Sequence, residues 1–362
     1  MYLKEINLVN YRNIHNIKFT PSAKYNILYG DNGQGKTNII ESIYLLGYLK
    51  SFRQTRNADF IGKYYKNCNI IDNIYFDNIS IKYNLEINSK AKLIKIDGKT
   101  PESSDYLNYV KSVLYSTDEL IIFRGSNILR KNFIDRGIFL IDKNYLSLVK
   151  KYNFILKSRN AILKQIKKNT YSLESWSQLL VETGSIIRKI RYEYIENLNT
   201  KFSEIYNVVF KEKDKAYISA KKIDTSLENI KKDFFSSLID KLEQDINYGQ
   251  TLSGPHLDKV DFYIGDKNLK YYGSQGQLRI ILLSLKLSQI YEYKQLFNKY
   301  PILLLDDICS ELDLKKINSL FDYISGNIGQ IFITTTCKNN LDFLNMENSN
   351  FYRIDSGEIT LG

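Results

Sequence analysis

The chain of 362 residues is long enough for one large domain or two ordinary ones, and its 43% hydrophobic and 25% charged residues are typical of a globular protein. A formal net charge of +11 favours an acidic partner, either nucleic acid or an anionic membrane surface, although a generally basic proteome explains it equally well. Three widely spaced cysteines and two histidines exclude a disulfide framework and a zinc site. Neither a signal-peptide core nor a run of about 18 apolar residues is present, so we expect a cytoplasmic protein without a membrane span.

The N-terminal part of the chain begins as β-structure. Alternating apolar residues between Leu3 and Ile27 predict two or three strands, the last of them a buried strand at 25–29. A glycine-rich loop follows, and apolar residues then recur at helical spacing: Ile39, Ile40, Ile43, Leu46 and Leu49. The predicted order is therefore strand, loop, helix. Alternation between residues 68 and 98 predicts further strands, and residues 102–140 are of mixed character.

The middle of the chain changes to helical periodicity. Apolar residues form one stripe from Tyr145 to Ile166 and a second from Leu180 to Val209. This pattern predicts an antiparallel helical hairpin or a small helical lobe, too short for the long coiled coil of a chromosome-organising protein. After about residue 260, apolar runs at 301–305 and 330–334 predict inner strands of a sheet that is covered on both faces.

The loop after the first buried strand matches the phosphate-binding pattern G-x-x-x-x-G-K-[ST]; its residues are Gly30, Asp31, Asn32, Gly33, Gln34, Gly35, Lys36 and Thr37. Glycines let backbone N–H groups turn towards phosphate oxygens, and the N-terminus of the following helix favours the same anion. We expect Lys36 to reach the β- and γ-phosphates of ATP and Thr37 to ligate Mg²⁺. The alternative is a chance match, but the strand before the loop and the helix after it are the context that the pattern requires.

The apolar run 303–305 ends in Asp306 and Asp307, as in a Walker B strand. Asp306 would hold the Mg²⁺ shell, and Asp307 stands where ABC-type ATPases place the carboxylate that orients and deprotonates the attacking water. The alternative is a strand that ends in a solvated Asp-Asp turn. Asp306 follows Lys36 by 270 positions (306 − 36), so the two motifs predict an insertion between them.

Two further motifs flank the Walker B strand. Ser274, Gln275, Gly276 and Gln277 precede an apolar helix and are similar to an ABC signature loop, whose serine and backbone donors would bind the γ-phosphate held by another subunit. Residues 310–313 are similar to the D-loop of a dimer interface. The alternatives are an ordinary polar helix N-terminus and a helix-capping turn.

Together these motifs resemble the RecF family of ABC/SMC-type ATPases. The resemblance rests on blocks spread over nearly the whole chain: Tyr11-Arg12-Asn13, Gly30 to Asn38, Ser51-Phe52-Arg53, Arg130 to Asp135, Ser158-Arg159-Asn160, Gly254-Pro255-His256 and Leu305 to Asp313. Thr334-Thr335-Thr336 stand where many ABC ATPases have a switch histidine, and Gln54 is the candidate for the glutamine loop.

The resemblance implies an α/β fold in which an ABC-type P-loop ATPase domain is split by an inserted, mainly helical second lobe. We expect an N-terminal ATPase part at 1–115, the insertion at 116–250 and a C-terminal ATPase part at 251–362. The resemblance also places Arg12 and Asn13 at the nucleotide. It implies ATP and Mg²⁺ as cofactors, an ATP-dependent homodimer, slow hydrolysis and binding to gapped or single-/double-strand junction DNA, with RecR as partner, RecO as functional partner and RecA loading as the outcome.

Two basic clusters are candidates for DNA contact. The first lies in the predicted helical lobe, where residues 143–173 include eight basic and no acidic residues; Lys150, Lys151, Lys157 and Arg159 belong to it. The second, just past the P-loop helix, consists of Lys50, Arg53 and Arg56. Either cluster could instead be a solvated face of a lysine-rich protein.

Two other functions remain as alternatives. One is a transporter-type ABC subunit that binds a membrane partner; the long interval between the Walker motifs and the helical insertion argue against it. The other is a binding module in which ATP locks a dimer and hydrolysis is incidental.

Overall fold

The computed structural model describes residues 1–53, 55–76, 79–101, 106, 109–164, 171–224, 226–326, 328–336, 341 and 349–362. The chain forms two compact units: unit 1 comprises residues 1–120, 204–213 and 274–362, and unit 2 comprises residues 121–203 and 214–273. The sequence predicted an insertion at 116–250. In the structure, the chain enters unit 2 at Ile121, passes through unit 1 at 204–213 and leaves unit 2 after Gly273. Among the described residues, no helix is long and apolar enough to cross a membrane.

Unit 1 contains two sheets. The first is antiparallel, in the order β2-β1-β4-β5-β6, and its strands are β1 (Tyr2–Tyr11), β2 (Ile14–Phe19), β4 (Asn67–Phe76), β5 (Ile79–Asn88) and β6 (Lys92–Ile96). The second has the order β14-β13-β3-β12-β11-β7, with strands β3 (Tyr25–Tyr29), β7 (Ser112–Tyr115), β11 (Ile302–Leu305), β12 (Ile331–Thr335), β13 (Ser349–Asp355) and β14 (Glu358–Leu361). All of its neighbouring strands are parallel except the β13–β14 hairpin. The two apolar runs of the sequence are therefore inner strands, as expected.

Helix α1 (Lys36–Tyr48) lies in the apolar core of unit 1. Ten of its thirteen residues are buried, so its apolar side chains have protein on nearly every side. One cluster of buried residues includes side chains of α1, of the antiparallel sheet and of the parallel sheet, among them Ile43, Ile70 and Leu304. Burying an aliphatic side chain of this size contributes about 1.5–3 kcal/mol. This packing fixes the position of the loop that precedes α1.

Further helices of unit 1 lie in the C-terminal part of the chain: α8 (Gln275–Phe297), α9 (Ile308–Glu311) and α10 (Leu314–Ile324). A short 3-10 helix, Asn57–Phe60, follows the P-loop helix. Helix α8 is the apolar helix that the sequence predicted after the signature motif.

Unit 2 is mainly helical; its helices are α2 (Ile121–Arg124), α3 (Asn127–Ile141), α4 (Tyr145–Leu163), most of α5 (Tyr171–Phe210), α6 (Leu227–Asp240) and α7 (Leu242–Tyr248). The two long helical stripes of the sequence correspond to α4 and α5. Unit 2 also holds a sheet that the sequence analysis did not identify, in the order β10-β9-β8, with strands β8 (Ala216–Ala220), β9 (Val260–Ile264) and β10 (Lys267–Asn268). Phe262 of β9 packs edge-on against Phe123 and Phe133, so the sheet shares a core with the helices.

Candidate nucleotide site

The loop between β3 and α1 depends on glycine. Gly30, Gly33 and Gly35 have φ values of 144°, 80° and 117°, a region that side chains rarely adopt. A Cβ at Gly30 would lie 2.3 Å from the carbonyl oxygen of Ile354, and one at Gly35 would lie 3.0 Å from Oδ1 of Asn13. The loop can therefore keep this shape only with glycine at these two positions, and the shape is one that turns backbone N–H groups towards an anion.

Lys36 starts helix α1 with its ammonium group turned back into the loop. Its Nζ donates to the carbonyl oxygens of Gly30, at 2.5 Å, and Asp31, at 2.8 Å. Burial lowers the pKa of Lys36, while the carboxylates of Asp307, Asp306 and Asp31 act in the opposite direction. A cation held in this way is available to the oxygens of a bound phosphate chain.

A chain of hydrogen bonds joins the P-loop helix to the Walker B aspartates. Strands β3, β12 and β11 are neighbours and parallel, so their carboxyl ends meet at one edge of the sheet. Thr37 Oγ1 and Thr334 Oγ1 both donate to Oδ1 of Asp306, at 2.9 and 2.7 Å. Thr334 in turn accepts the backbone N–H of Asp307 at 2.8 Å. Burial raises the pKa of Asp306, and the two threonine hydrogen bonds partly offset this effect.

The side-chain oxygens at this edge of the sheet are suitable ligands for Mg²⁺. Mg²⁺ prefers oxygen ligands and is usually held by only one or two protein groups, with water and phosphate completing the octahedron. Thr37 Oγ1 and Asp306 Oδ1 are two such oxygens 2.9 Å apart. These two oxygens fit a magnesium ion that is shared with a nucleotide.

Asp307 lies directly after the Walker B strand in a left-handed conformation, with φ of 53° and ψ of 40°. A left-handed backbone is uncommon for any residue other than glycine, although Asp and Asn tolerate it best. Its carboxylate is the first of the three that oppose the lowering of the Lys36 pKa, so the two charges lie near each other.

A buried carboxylate that the sequence analysis did not identify anchors the outer side of the P-loop helix. Glu41 is fully buried and accepts hydrogen bonds from Arg12 Nη2 and the Tyr11 hydroxyl, each at 2.8 Å, as well as from Arg12 Nε and the Ser51 hydroxyl. Arg53 Nη1 lies 4.0 Å from the same carboxylate. Burial alone would raise the pKa of Glu41, but these donors, with Arg12 first, lower it below its ordinary value. The sequence signal was present: an acidic residue in the apolar face Ile39–Ile43 of a helix must find buried partners.

The polar residues of the N-terminal hairpin brace the loop itself. Asn13 Nδ2 donates to the carbonyl oxygen of Gln34 at 3.0 Å, and Asn38 Nδ2 donates to Asn13 Oδ1 at 2.7 Å. Arg53 Nη1 donates to Asn38 Oδ1 at 3.0 Å. From the other side, the turn of the β13–β14 hairpin donates the Ser356 backbone N–H to Gln34 Oε1 at 2.6 Å. Asn13 and Gln34 are therefore held at the P-loop and Arg12 at the helix that follows it, whereas Asp31 and Asn32 are exposed at the tip of the loop.

The signature residues form the N-terminus of helix α8. Ser274 Oγ accepts the backbone N–H of Gln277 at 3.2 Å, and Gln277 Oε1 accepts the backbone N–H of Ser274 at 2.9 Å, which is a capping box. The ordinary helix-capping interpretation is therefore correct for these side chains, yet all four residues from Ser274 to Gln277 are exposed, Gly276 included. Farther along, Asp313 caps helix α10 by accepting the Lys316 N–H at 2.9 Å. The side chains of Ser310 and Glu311 are outside the described part of the structure.

The structure separates the residues of the two basic clusters. Lys150, Lys151 and Lys157 are exposed on α4, and Lys50 and Arg56 are exposed in unit 1. Arg53 is half-buried beside the P-loop helix, as described above. Gln54, Lys167 and Lys168 lie outside the described residues.

The structure contradicts the prediction that Arg159 contacts DNA. It is only 1% exposed, and its Nη1 donates to Asp245 Oδ2 at 2.7 Å and to Thr251 Oγ1 at 2.6 Å. Its Nε donates to Ser177 Oγ at 3.0 Å. A guanidinium group with these buried partners has no face left for a phosphate, so Arg159 stabilises the interior of unit 2 and is not a DNA contact.

Comparison with known proteins supports one family over the whole chain. A family model described as the RecF/RecN/SMC N terminal domain matches residues 2–358. Two curated relatives, both named DNA replication and repair protein RecF, come from Geotalea uraniireducens and Halalkalibacterium halodurans. The first is 34% identical over 365 residues, covering 99% of this chain and 100% of the relative; the second is 31% identical over 368 residues, covering 99% of each.

Solved structures agree with the sequence relatives. A structure described as the recombination mediator protein RecF-ATP in the RecFOR pathway superposes with a TM-score of 0.90 at 28% identity, covering 100% of this chain and 97% of the other. An Smc head bound to the C-winged helix domain of ScpA has a TM-score of 0.60 at 15% identity, with the same coverage, and shows the likeness of fold alone. The chain therefore belongs to the RecF family and has the α/β fold of ABC-type ATPases.

Proposed function

We propose that this protein is an ATP-dependent DNA-binding protein of recombinational repair and replication that dimerises around ATP. Membership of the RecF family gives the coarser part, a DNA replication and repair ATPase. The finer part is that the dimer closes on gapped or junction DNA, hydrolyses ATP slowly, and assists RecA loading with RecR, with RecO acting in the same process. DNA as the partner implies a place in the cytoplasm, at the nucleoid. The observation that carries the proposal is the hydrogen-bond chain from Thr37 through Asp306 and Thr334 to Asp307, next to the buried ammonium group of Lys36.

Lys36 and each residue of this hydrogen-bond chain have separate tasks in the proposed mechanism. Lys36 neutralises the β- and γ-phosphates, while Thr37 and Asp306 hold the magnesium ion. Asp307 orients the attacking water and accepts its proton. Thr334, in place of a switch histidine, fixes both aspartates through its single hydroxyl group. Bound ATP–Mg²⁺ supplies the transferable phosphoryl group.

The signature loop requires a second copy of the chain. The residues from Ser274 to Gln277 at the start of α8 are exposed, and a helix N-terminus attracts an anion. We propose that they bind the γ-phosphate held by the P-loop of the partner, so that each of the two sites contains residues from both subunits.

A mixing experiment tests this arrangement. Lys36→Ala removes the phosphate-binding ammonium group, and Ser274→Arg places bulk and charge in the signature loop. Neither variant alone should dimerise with ATP in light scattering. An equimolar mixture should form heterodimers, because one of the two sites then combines an intact P-loop with an intact signature loop. Absence of dimers in the mixture, with ATP binding to Ser274→Arg intact by calorimetry, would contradict the head-to-tail arrangement; unchanged ATP affinity of Lys36→Ala would contradict the nucleotide site itself.

DNA binding is proposed for the exposed lysines of α4, because phosphate contacts need exposed cations and no base readout. Changing Lys150, Lys151 and Lys157 together to Glu should weaken binding to gapped duplex at low salt. It should also reduce the slope of log K against log salt by about 2.7 if each lysine holds one phosphate. The matched control changes Lys221, Lys222 and Lys232, three exposed lysines of the same unit, to Glu. Equal slopes for the two triple variants would indicate that DNA contacts Lys50, Arg53 and Arg56 instead.

A further inference from the structure

The exposed face of helix α4 carries an aromatic ring. Phe154 is 65% exposed, more than any other phenylalanine of the described residues. A single exposed apolar side chain is common on protein surfaces and has no meaning alone. Its surroundings decide whether this ring is a binding element.

Three lysines surround Phe154 on the same helix face. Lys150, Lys151 and Lys157 stand at positions i−4, i−3 and i+3 relative to Phe154, and side chains at these spacings are neighbours on a helix. All three lysines are exposed, and α4 contains no acidic residue from Tyr145 to Leu163. The surface around the ring is therefore cationic.

A second aromatic residue supports the ring from helix α5. Trp176 is half-buried, and its ring centroid lies 6.0 Å from that of Phe154 with the planes at 65°, an edge-to-face pair. Trp176 lies between two buried residues of α5, Leu173 and Leu180, which anchor its helix turn in unit 2. Glu174, the acidic residue of this turn, is two positions from Trp176 and so does not share its face. Phe154 is thus held in place while most of its surface stays open.

We infer that Phe154, supported by Trp176, is a stacking platform for an unpaired base of single-stranded nucleic acid, with the adjacent phosphates on Lys150, Lys151 and Lys157. An aromatic ring beside cations is the arrangement by which proteins hold single strands without reading sequence, since every base has a π-face. A duplex can offer its phosphates to the lysines but keeps its bases stacked inside, so it cannot use the ring. The inference rests on the proposed function and assigns the single-stranded side of a gap to this face.

The sequence provides a direct optical probe, because Trp176 is the only tryptophan of the chain. Titration of the full-length protein with oligo-dT should quench its fluorescence through stacking at the neighbouring ring, whereas a blunt duplex of equal charge should leave it unchanged. Phe154→Ala should lower the affinity for oligo-dT by about 5- to 150-fold, the range measured for one base–aromatic stack. Phe154→Tyr should keep wild-type affinity. Because Phe154 carries no charge, the salt slope should be the same in all three proteins.

The outcomes separate this inference from the proposed function. Phe154→Ala should bind duplex like the wild type, and a thermal melt checks that its fold is intact. If Phe154→Ala binds oligo-dT as tightly as wild type, while the lysine triple variant loses both DNAs, the stacking platform is refuted and DNA binding stands. If the wild type binds neither oligo-dT, duplex nor gapped DNA, the proposed function fails. If poly-glutamate binds in a Phe154-dependent manner and oligo-dT does not bind, the face takes an acidic protein segment and the inference is wrong.

Discussion

Glu41 gives the sharpest test of how the P-loop is held. Replacing Glu41 by Gln keeps the size of the side chain but removes its charge and turns one acceptor atom into an NH₂ donor. The wild-type carboxylate is fully buried and accepts hydrogen bonds from Arg12, Tyr11 and Ser51. After the substitution, one of these donors faces another donor, and the buried part of Arg12 has no counter-charge.

The expected loss in the free energy of unfolding follows from the burial of Glu41. Removing one partner of a buried, hydrogen-bonded ion pair costs about 3–5 kcal/mol, because the remaining charge keeps its desolvation cost without compensation. The pair of Glu5 and Lys18, whose side chains are 29% and 62% exposed and therefore in contact with solvent, is the control in the same unit. Glu5→Gln should cost about 1 kcal/mol or less. Because Glu41 has a lowered folded-state pKa, its stabilisation is complete above the unfolded pKa near 4.5 and is lost as the pH falls through the folded value.

Urea titration of the three proteins at several pH values measures these differences. The free energy of unfolding of Glu41→Gln should lie about 3–5 kcal/mol below wild type between pH 5 and 7, and the gap should narrow below about pH 4.5. The same cost for Glu41→Gln and Glu5→Gln would refute the reasoning, as would a gap that does not depend on pH at the acidic end. The first result would mean that the network around Glu41 contributes no more than a surface contact, and the second would mean that its contribution does not depend on the charge of Glu41.

Three further substitutions test other parts of the structure. Asp307→Asn should keep ATP-dependent dimers but slow single-turnover hydrolysis by about 10²–10⁴-fold, the contribution of a general base; wild-type turnover would assign the base elsewhere. Asp72 is fully buried, and burial raises its pKa well above 3.8, so the folded protein loses stability relative to the unfolded chain as the pH rises above 3.8. Asp72→Asn should therefore unfold at higher urea than wild type at pH 8 but not at pH 4, and equal shifts at both pH values would contradict this. Asp245→Ala should destabilise unit 2 by about 3–5 kcal/mol, followed by Trp176 fluorescence, since it leaves Arg159 buried without its partner; an effect as small as that of Lys150→Ala would show that Arg159 is solvated.

Local patterns were sufficient for the elements that build the nucleotide site. The strand, loop and helix around Lys36, and the strand that ends at Asp306, each depend on residues close together in the chain, so periodicity and motif spacing predict them. The contacts that hold the site depend on residues far apart. Arg12 meets Glu41 across 29 positions, and Ser356 meets Gln34 across 322. No periodicity encodes such pairs, because they arise from the order of strands in the sheets.

Thr334 shows the same limit at a single residue. The sequence has three threonines where many ABC ATPases have a histidine. The hydrogen bonds that join Thr334 to Asp306 and Asp307 exist only because β12 lies beside β11. Strand β10 of unit 2 was not predicted for a different reason. It has only two residues, too few for an alternation.

Helical periodicity alone is sufficient to assign Arg159 to the buried face of α4. The same consideration applies to every cluster of charged residues that is identified in a sequence. A count of basic residues in a segment treats all of them as surface, whereas a helix assigns each to a face. Arg159 stands four residues after Ile155, seven after Tyr152 and four before Leu163, all of them buried, so helical periodicity already places it on the inner face. The same periodicity sets Lys150, Phe154 and Lys157 on the opposite face, where all three are exposed. A basic stripe is therefore a candidate DNA surface only for the residues that remain after the buried face of the helix has been removed, and an arginine among apolar neighbours at i−4 and i+4 predicts a buried carboxylate partner instead.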